Sequence, residues 1–114
     1  MTTNEVTILF MEPTKNPELR VIPDELKSYQ ELVGGSIEMV RILPDIALIC
    51  NKEGKLLDFT PNRHFHLPFF KDIVVGNIVF VKISDETGEF VSLTAKDIER
   101  LNQAFSDKNY ISEV

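Results

Sequence analysis

Apolar residues in this chain follow two spacings, one typical of β-strands and one typical of α-helices. Segments that are rich in β-branched and aromatic residues, or that alternate polar with apolar positions, predict strands. These segments are residues 6–11, 18–22, 37–42, 46–50, 55–59, 73–83 and 89–93. Turn-forming residues such as Gly54 and Gly88 separate several of them. Within the long segment 73–83, Gly76 followed by Asn77 predicts a bulge or a bend.

Two other segments carry apolar residues at helical spacing. In the first, Pro23 fixes the backbone, and the acidic residues that follow it favour a helix start. Leu26, Tyr29 and Val33 then fall on one helical face. The pair Gly34–Gly35 supplies the left-handed conformation that commonly ends a helix. This segment therefore predicts a helix that packs on a sheet.

The second helix is predicted near the end of the sequence. Thr94 and Asp97 have the spacing of a capping box, in which each side chain hydrogen-bonds the backbone of the other residue. Ile98, Leu101 and Phe105 follow on one face. The whole pattern predicts one α+β domain over residues 1–114, with a mixed, mostly antiparallel sheet of about six strands and two packed helices. We expect residues 1–4 and 108–114 to fray.

Composition narrows the classes of protein to which the chain can belong. Its 114 residues suffice for one hydrophobic core, and its formal net charge is −6. Affinity for phosphate backbones comes from clustered lysines and arginines. Because the sequence contains no such cluster, we expect no direct binding to nucleic acid backbone. The apolar runs are too short to cross a bilayer, and the first residues lack the pattern of a signal peptide, so a cytoplasmic location is expected. The single cysteine, Cys50, lies in an apolar run and is predicted to be buried and inert.

No motif for catalysis stands out. The serines and histidines lie in no nucleophile-elbow or triad pattern, and the glycines form neither a phosphate loop nor a dinucleotide fingerprint. His64 and His66 share a face if their segment is extended, but the nearby sequence names no third or fourth metal ligand. We therefore expect a protein that is not an enzyme and that needs no cofactor and no metal.

The most unusual chemistry lies between positions 61 and 70. A proline-stiffened polar corner is followed at once by two histidines and three phenylalanines. The candidate binding residues are Asn62, Arg63, His64, His66, Phe69 and Phe70. A guanidinium on a stiff turn offers a planar donor fork to a carboxylate or a phosphate.

Each of these residues also has a structural interpretation. Asn62 can cap the turn with its own amide, while Arg63 pairs with an acid such as Glu38 or braces backbone carbonyls. The phenylalanines, in turn, can complete the core instead of forming an exposed apolar patch. The sequence leaves both choices open.

Several motifs resemble the family of domains of unknown function numbered 3846. The motifs are Glu31-Leu32-Val33-Gly34-Gly35 with Ile37-Glu38, Cys50-Asn51 with Glu53-Gly54-Lys55-Leu56, Pro61-Asn62-Arg63, Asp72-Ile73-Val74-Val75-Gly76 and Gly88-Glu89-Phe90-Val91-Ser92-Leu93-Thr94. The resemblance implies a small protein of phages, plasmids, integrative elements or Gram-positive genomes, with no assigned activity. Family members usually carry a more polar passage where this chain has the aromatic segment 64–70.

Two hypotheses for function follow. The first is a non-enzymatic accessory protein of a phage or mobile element that binds a host protein in the host cytoplasm and inhibits a defence or restriction factor. The second is a small-ligand module that sequesters a nucleotide signal, with Arg63 and Asn62 at the phosphate. An enclosed pocket beside Arg63 would favour the ligand module. A flat aromatic and acidic surface, repeated by the symmetry of a homodimer, would favour protein binding.

Overall fold

The computed structural model describes residues 4–67 and 70–105, which form eight strands and two helices. The strands are β1 (Glu5–Met11), β2 (Glu18–Pro23), β3 (Ile37–Leu43), β4 (Ile46–Asn51), β5 (Pro61–Leu67), β6 (Phe70–Val75), β7 (Ile78–Ile83) and β8 (Phe90–Val91). The helices are α1 (Leu26–Val33) and α2 (Ala95–Phe105). The predicted α+β class and mostly antiparallel sheet are confirmed.

The main sheet has the strand order β2-β1-β7-β4-β3, and every pairing in it is antiparallel. The short strand β8 pairs with the end of β7, beside the point where the Leu93 amide donates to the Thr7 carbonyl of β1. The central strands β4 and β7 are almost wholly buried, since both of their faces are covered. Strands β2 and β3 form the two edges of this sheet.

Helix α1 covers one face of the main sheet. Tyr29 and Val33 are buried in a cluster with apolar residues of β1, β4 and β7. The predicted helical stripe is thus correct at these two positions, whereas Leu26 lies exposed at the first turn. Gly34 ends the helix in the left-handed conformation at φ 80°, as the sequence predicts.

The opposite face of the main sheet carries a third layer made of α2 and the hairpin of β5 and β6. Leu101 of α2 and Phe65 of β5 are buried with Phe80 of β7 in one cluster. Thr94 and Asp97 form the predicted capping box: the Thr94 amide donates to Asp97 Oδ2 over 2.9 Å, and the Asp97 amide donates to Thr94 Oγ1 over 3.1 Å. Ile98 and Phe105 are half-buried against the cluster, so the predicted stripe of α2 is confirmed.

Two of the predicted strands are wrong. Residues 55–58 form turns and Phe59 belongs to no strand, because Asn51 Oδ1 accepts a hydrogen bond from the Glu53 amide and the Leu57 amide then donates to the Glu53 carbonyl. The run 73–83 is divided between β6 and β7, since Gly76 takes a left-handed φ of 76° and bends the chain from one sheet to the other. The predicted polar corner at positions 61–63 is the start of a strand, β5, which pairs with β6.

The predicted frayed ends fall mostly outside the described residues. Asn4 is the exception, and its carbonyl accepts a hydrogen bond of 2.8 Å from the Asp24 amide. Residues 1–3 and 106–114 lie outside the part of the chain that the structure describes.

Candidate functional site

Arg63, the leading candidate for ligand binding, is completely buried. Its exposed fraction is 0%, and its guanidinium reaches two distant parts of the backbone. Nη2 donates to the carbonyls of Lys15 and Phe105, each over 2.8 Å, and Nε donates to the same Phe105 carbonyl over 3.3 Å. Nη1 donates to Asn62 Oδ1 over 3.0 Å. The fork therefore ties β5 to the loop after β1 and to the last residue of α2.

Asn62 is buried beside it and makes a second set of ties. Its Nδ2 donates to the Met11 carbonyl over 2.8 Å and to the Gly76 carbonyl over 2.7 Å. These carbonyls end β1 and precede β7, so one amide joins the base of the hairpin to two strands of the main sheet. Because buried polar groups need partners, these two hydrogen bonds satisfy the donors of the buried Asn62 amide.

The predicted binding role of Asn62 and Arg63 does not fit this geometry. Both side chains are buried and direct their donors to backbone carbonyls, so neither presents a free face to a ligand. The contacts instead match the alternative in which Arg63 braces backbone carbonyls. Below, the pair is called the Asn62–Arg63 brace.

The two histidines lie on the other side of the same strand. His64 and His66 are exposed, and their ring centroids are 3.9 Å apart. Across the hairpin, Ile73 faces His64 and Lys71 faces His66. Because successive side chains of a strand point to opposite faces, the buried Phe65 between the histidines points inward. We call His64, His66, Lys71 and Ile73 the outer hairpin face.

The phenylalanines divide differently. Phe70 is half-buried and packs against Phe65, with ring centroids 5.7 Å apart. Phe70 therefore extends the core, which is the structural alternative, and is not an exposed binding residue. Phe69, together with Pro68, lies outside the described residues, so its predicted role stays a prediction.

A small cleft opens between β6 and the edge formed by β3. It encloses about 150 Å³, and Glu38, Lys52, Lys55 and Asp72 lie among its lining residues. Lys55 Nζ donates to Asp72 Oδ1 over 2.8 Å, and this hydrogen bond is the main cause that lowers the pKa of the Asp72 carboxyl. The cleft thus carries paired charges of both signs at its polar side.

Cys50 also lines this cleft, yet its thiol is not activated. Burial, followed by the negative charges of Glu38 and Asp72, raises the pKa of the Cys50 thiol to about 11. A protonated thiol is a weak nucleophile at neutral pH. The structure therefore agrees with the predicted buried cysteine.

Within 4–67 and 70–105, no group of three or more His, Cys, Asp and Glu side chains could hold a metal ion. Over the same residues, no helix is long and apolar enough to cross a membrane.

The outer hairpin face was only partly visible to sequence reasoning. The histidines were predicted because of their residue type, whereas Lys71 and Ile73 were missed because the run 73–83 was interpreted as one strand. The bend predicted at Gly76 and Asn77 was the signal that, taken as a break between two strands, separates β6 from β7. In the structure, the antiparallel register of β5 with β6 brings the two missed residues opposite the histidines.

A comparison with family models supports the resemblance. A model described as a domain of unknown function, DUF3846, matches residues 6–106. No curated protein and no solved structure gave a significant match.

Proposed function

Because the chain belongs to the DUF3846 family, which has no assigned activity, we propose its function from its own surface. We propose that it is a non-enzymatic accessory protein of a phage or mobile element that binds a host protein through the outer hairpin face. Inhibition of a host defence or restriction factor is the consequence we propose for that binding. The observation that carries the proposal is an exposed pair of histidines on a hairpin whose inner side is fastened by the Asn62–Arg63 brace.

Rigidity is the first argument for this surface. An isolated two-stranded hairpin is marginally stable in water, so a hairpin that binds a partner would lose entropy on binding. Here the base of the hairpin is tied to β1 and to Gly76, just before β7, by buried hydrogen bonds and to α2 by a partly buried one. The hairpin is therefore already ordered before it binds a partner, so binding through its exposed face loses less conformational entropy.

Charge is the second argument. The chain carries a net charge of −6, yet the outer hairpin face consists of two histidines, one lysine and one isoleucine. These side chains donate hydrogen bonds and offer aromatic and apolar surface. A partner that presents carboxylates around an apolar contact would complement this face. The acidic remainder of the chain repels anionic partners that lack such a match.

The small-ligand hypothesis has less support. Its phosphate-binding residue was Arg63, which is fully buried and donates to carbonyls. The cleft beside Asp72 encloses about 150 Å³, whereas sites for drug-sized ligands usually measure roughly 300–1,000 Å³. A nucleotide is therefore a poor fit to this cleft, and two wider clefts, of about 600 and 420 Å³, are lined by neither Asn62 nor Arg63.

The proposal is tested by affinity capture from a lysate of the bacterial host. The double variant His64→Ala/His66→Ala is compared with the wild type and with Lys27→Ala/Glu31→Ala, which removes two exposed side chains from α1 on the opposite layer. We expect one host protein to be captured by the wild type and the α1 variant and lost with the histidine variant. Equal capture by all three proteins would reject the outer hairpin face as the binding surface.

A further inference from the structure

One edge of the main sheet exposes apolar residues on a regular strand. Leu19 and Val21 of β2 are 53% and 54% exposed, and because they are two positions apart they form one apolar row along the strand. Strand β2 lies at the end of the strand order, so in the described part of the chain its outer backbone groups face no other strand. Edge strands of this kind readily pair with another chain.

The register of β2 on β1 separates its side chains into two faces. Leu19 and Val21 lie opposite Leu9 and Thr7, on the face that carries α2 and the hairpin. Glu18 and Arg20 lie on the other face, the one that α1 covers. A single edge thus presents an apolar row on one side and one acidic and one basic residue on the other.

The charged residues of this edge are arranged on the α1 side of the sheet. Arg20 Nε donates to Glu18 Oε1 over 2.6 Å, and its guanidinium lies 4.4 Å from the centre of the Phe10 ring. Both side chains are nevertheless partly exposed, with side-chain exposed fractions of 40% for Arg20 and 61% for Glu18. They are therefore available to a strand that pairs with β2.

We propose that the occupant of this edge is a second copy of the chain, joined by antiparallel pairing of β2 with β2 around Leu19. In that register Leu19 opposes Leu19 of the other copy, and Glu18 opposes Arg20. Pro17, which precedes the strand, opposes Val21. Opposed residues of an antiparallel pair lie on the same face, so the apolar row meets itself and two ion pairs form on the other face. The two sheets become one continuous sheet across a two-fold axis.

Strand β3, at the opposite edge, lacks this self-complementarity. Its charged residues are Glu38 and Arg41, which are three positions apart and therefore lie on opposite faces. No two-fold register can oppose them directly. Its pairing also shifts between Arg41 and Leu43, an irregularity of the kind that protects edges from pairing. The choice of β2 over β3 therefore rests on charge complementarity and on the regular pairing of β2.

The charge register is tested by sedimentation equilibrium of the full chain from low to high micromolar concentration. We expect a concentration-dependent dimer. Glu18→Arg and Arg20→Glu should each raise the dimer dissociation constant by roughly tenfold or more, because two favourable cross-strand pairs become repulsive. The combined variant Glu18→Arg/Arg20→Glu should return to within about threefold of the wild type, since the pairs are restored in reverse.

Glu38→Arg on β3 is the matched control, because it makes the same change of charge at the other edge. A dimer that Glu38→Arg weakens as much as Glu18→Arg would overturn the proposal, and so would a combined variant that fails to recover. Far-UV circular dichroism of each variant establishes that it is folded. A wild-type chain that stays monomeric throughout would also overturn the proposal.

A disulfide cross-link tests whether Leu19 lies at the two-fold axis of the dimer. Directly opposed residues of an antiparallel pair have Cα atoms about 4.5–5.5 Å apart, a separation that a disulfide can span. Leu19→Cys should therefore form a cross-linked dimer under mild oxidation, whereas Met39→Cys on the exposed part of β3 should not. A Leu19→Cys chain that forms no cross-link while its thiol is protected from alkylation would show that another segment covers β2, and would overturn the proposal. This dimer does not depend on the hairpin, so its failure would leave the proposed function in place.

Discussion

Replacing Arg63 by alanine should strongly destabilise the fold. The substitution removes the donors that serve the Lys15 and Phe105 carbonyls and leaves a cavity in place of a fully buried side chain. A hydrogen bond to a charged group contributes about 1.5–3 kcal/mol, and removing it takes the donor from a partly buried carbonyl. Two such carbonyls give an expected loss of about 3–5 kcal/mol, since the contributions are not fully additive.

The assay is urea unfolding followed by far-UV circular dichroism, because the chain contains no tryptophan to report by fluorescence. Arg100→Ala is the matched control: Arg100 is exposed on α2, and its loss should change stability by no more than about 0.5 kcal/mol. Arg63→Lys keeps a charge but cannot reproduce the planar fork, so its loss should fall between the two. If Arg63→Ala unfolds at the same urea concentration as Arg100→Ala, the brace contributes nothing to stability and our interpretation of the buried contacts is wrong.

Three further predictions concern the other packed and charged groups. Leu101→Ala should cost about 2–4 kcal/mol in the same titration, whereas Leu56→Ala, which is 85% exposed, should cost almost nothing; equal losses would contradict burial of the α2 stripe. Burial raises the pKa of Asp97, but hydrogen bonds from Lys82 and Thr94 outweigh it and lower the pKa. The resulting stability is present above the unfolded-state pKa of about 3.9 and is lost as the pH falls through the lower folded-state pKa. Acid titrations should therefore show a weaker loss of stability below pH about 4 in Asp97→Asn, and an unchanged acid limb would contradict this. Cys50, whose thiol pKa is raised to about 11 by burial, should react with a thiol reagent at neutral pH only after unfolding, and rapid labelling of the native protein would contradict it.

The sequence predicted most of the main sheet because its strands have strong local signals. The buried runs that became β1, β4 and β7 are rich in β-branched residues, and the capping box of Thr94 and Asp97 marks the start of α2. The errors arose where a turn depends on side-chain contacts. Asn51 holds the turn before residues 55–59 with its own side chain, and that contact is not visible as a periodic pattern.

The candidate site was predicted less well because burial is a property of the whole fold. A polar corner at positions 61–63 has the residue types of a ligand site, yet the partners of Arg63 are carbonyls at positions 15 and 105, which are 48 and 42 residues away. No local spacing reveals such contacts. Strand alternation places His64 and His66 on one face, but that this face is exposed depends on the burial of Phe65 in the core.

The central claim is that the outer hairpin face binds a host protein. Hydrogen–deuterium exchange of the chain, with and without the protein captured from the host lysate, tests it most directly. We expect slower exchange in peptides from residues 61–67 and 70–75 on binding, and unchanged exchange in α1. Protection confined to α1 or to the β3 edge, with the hairpin unchanged, would contradict the claim.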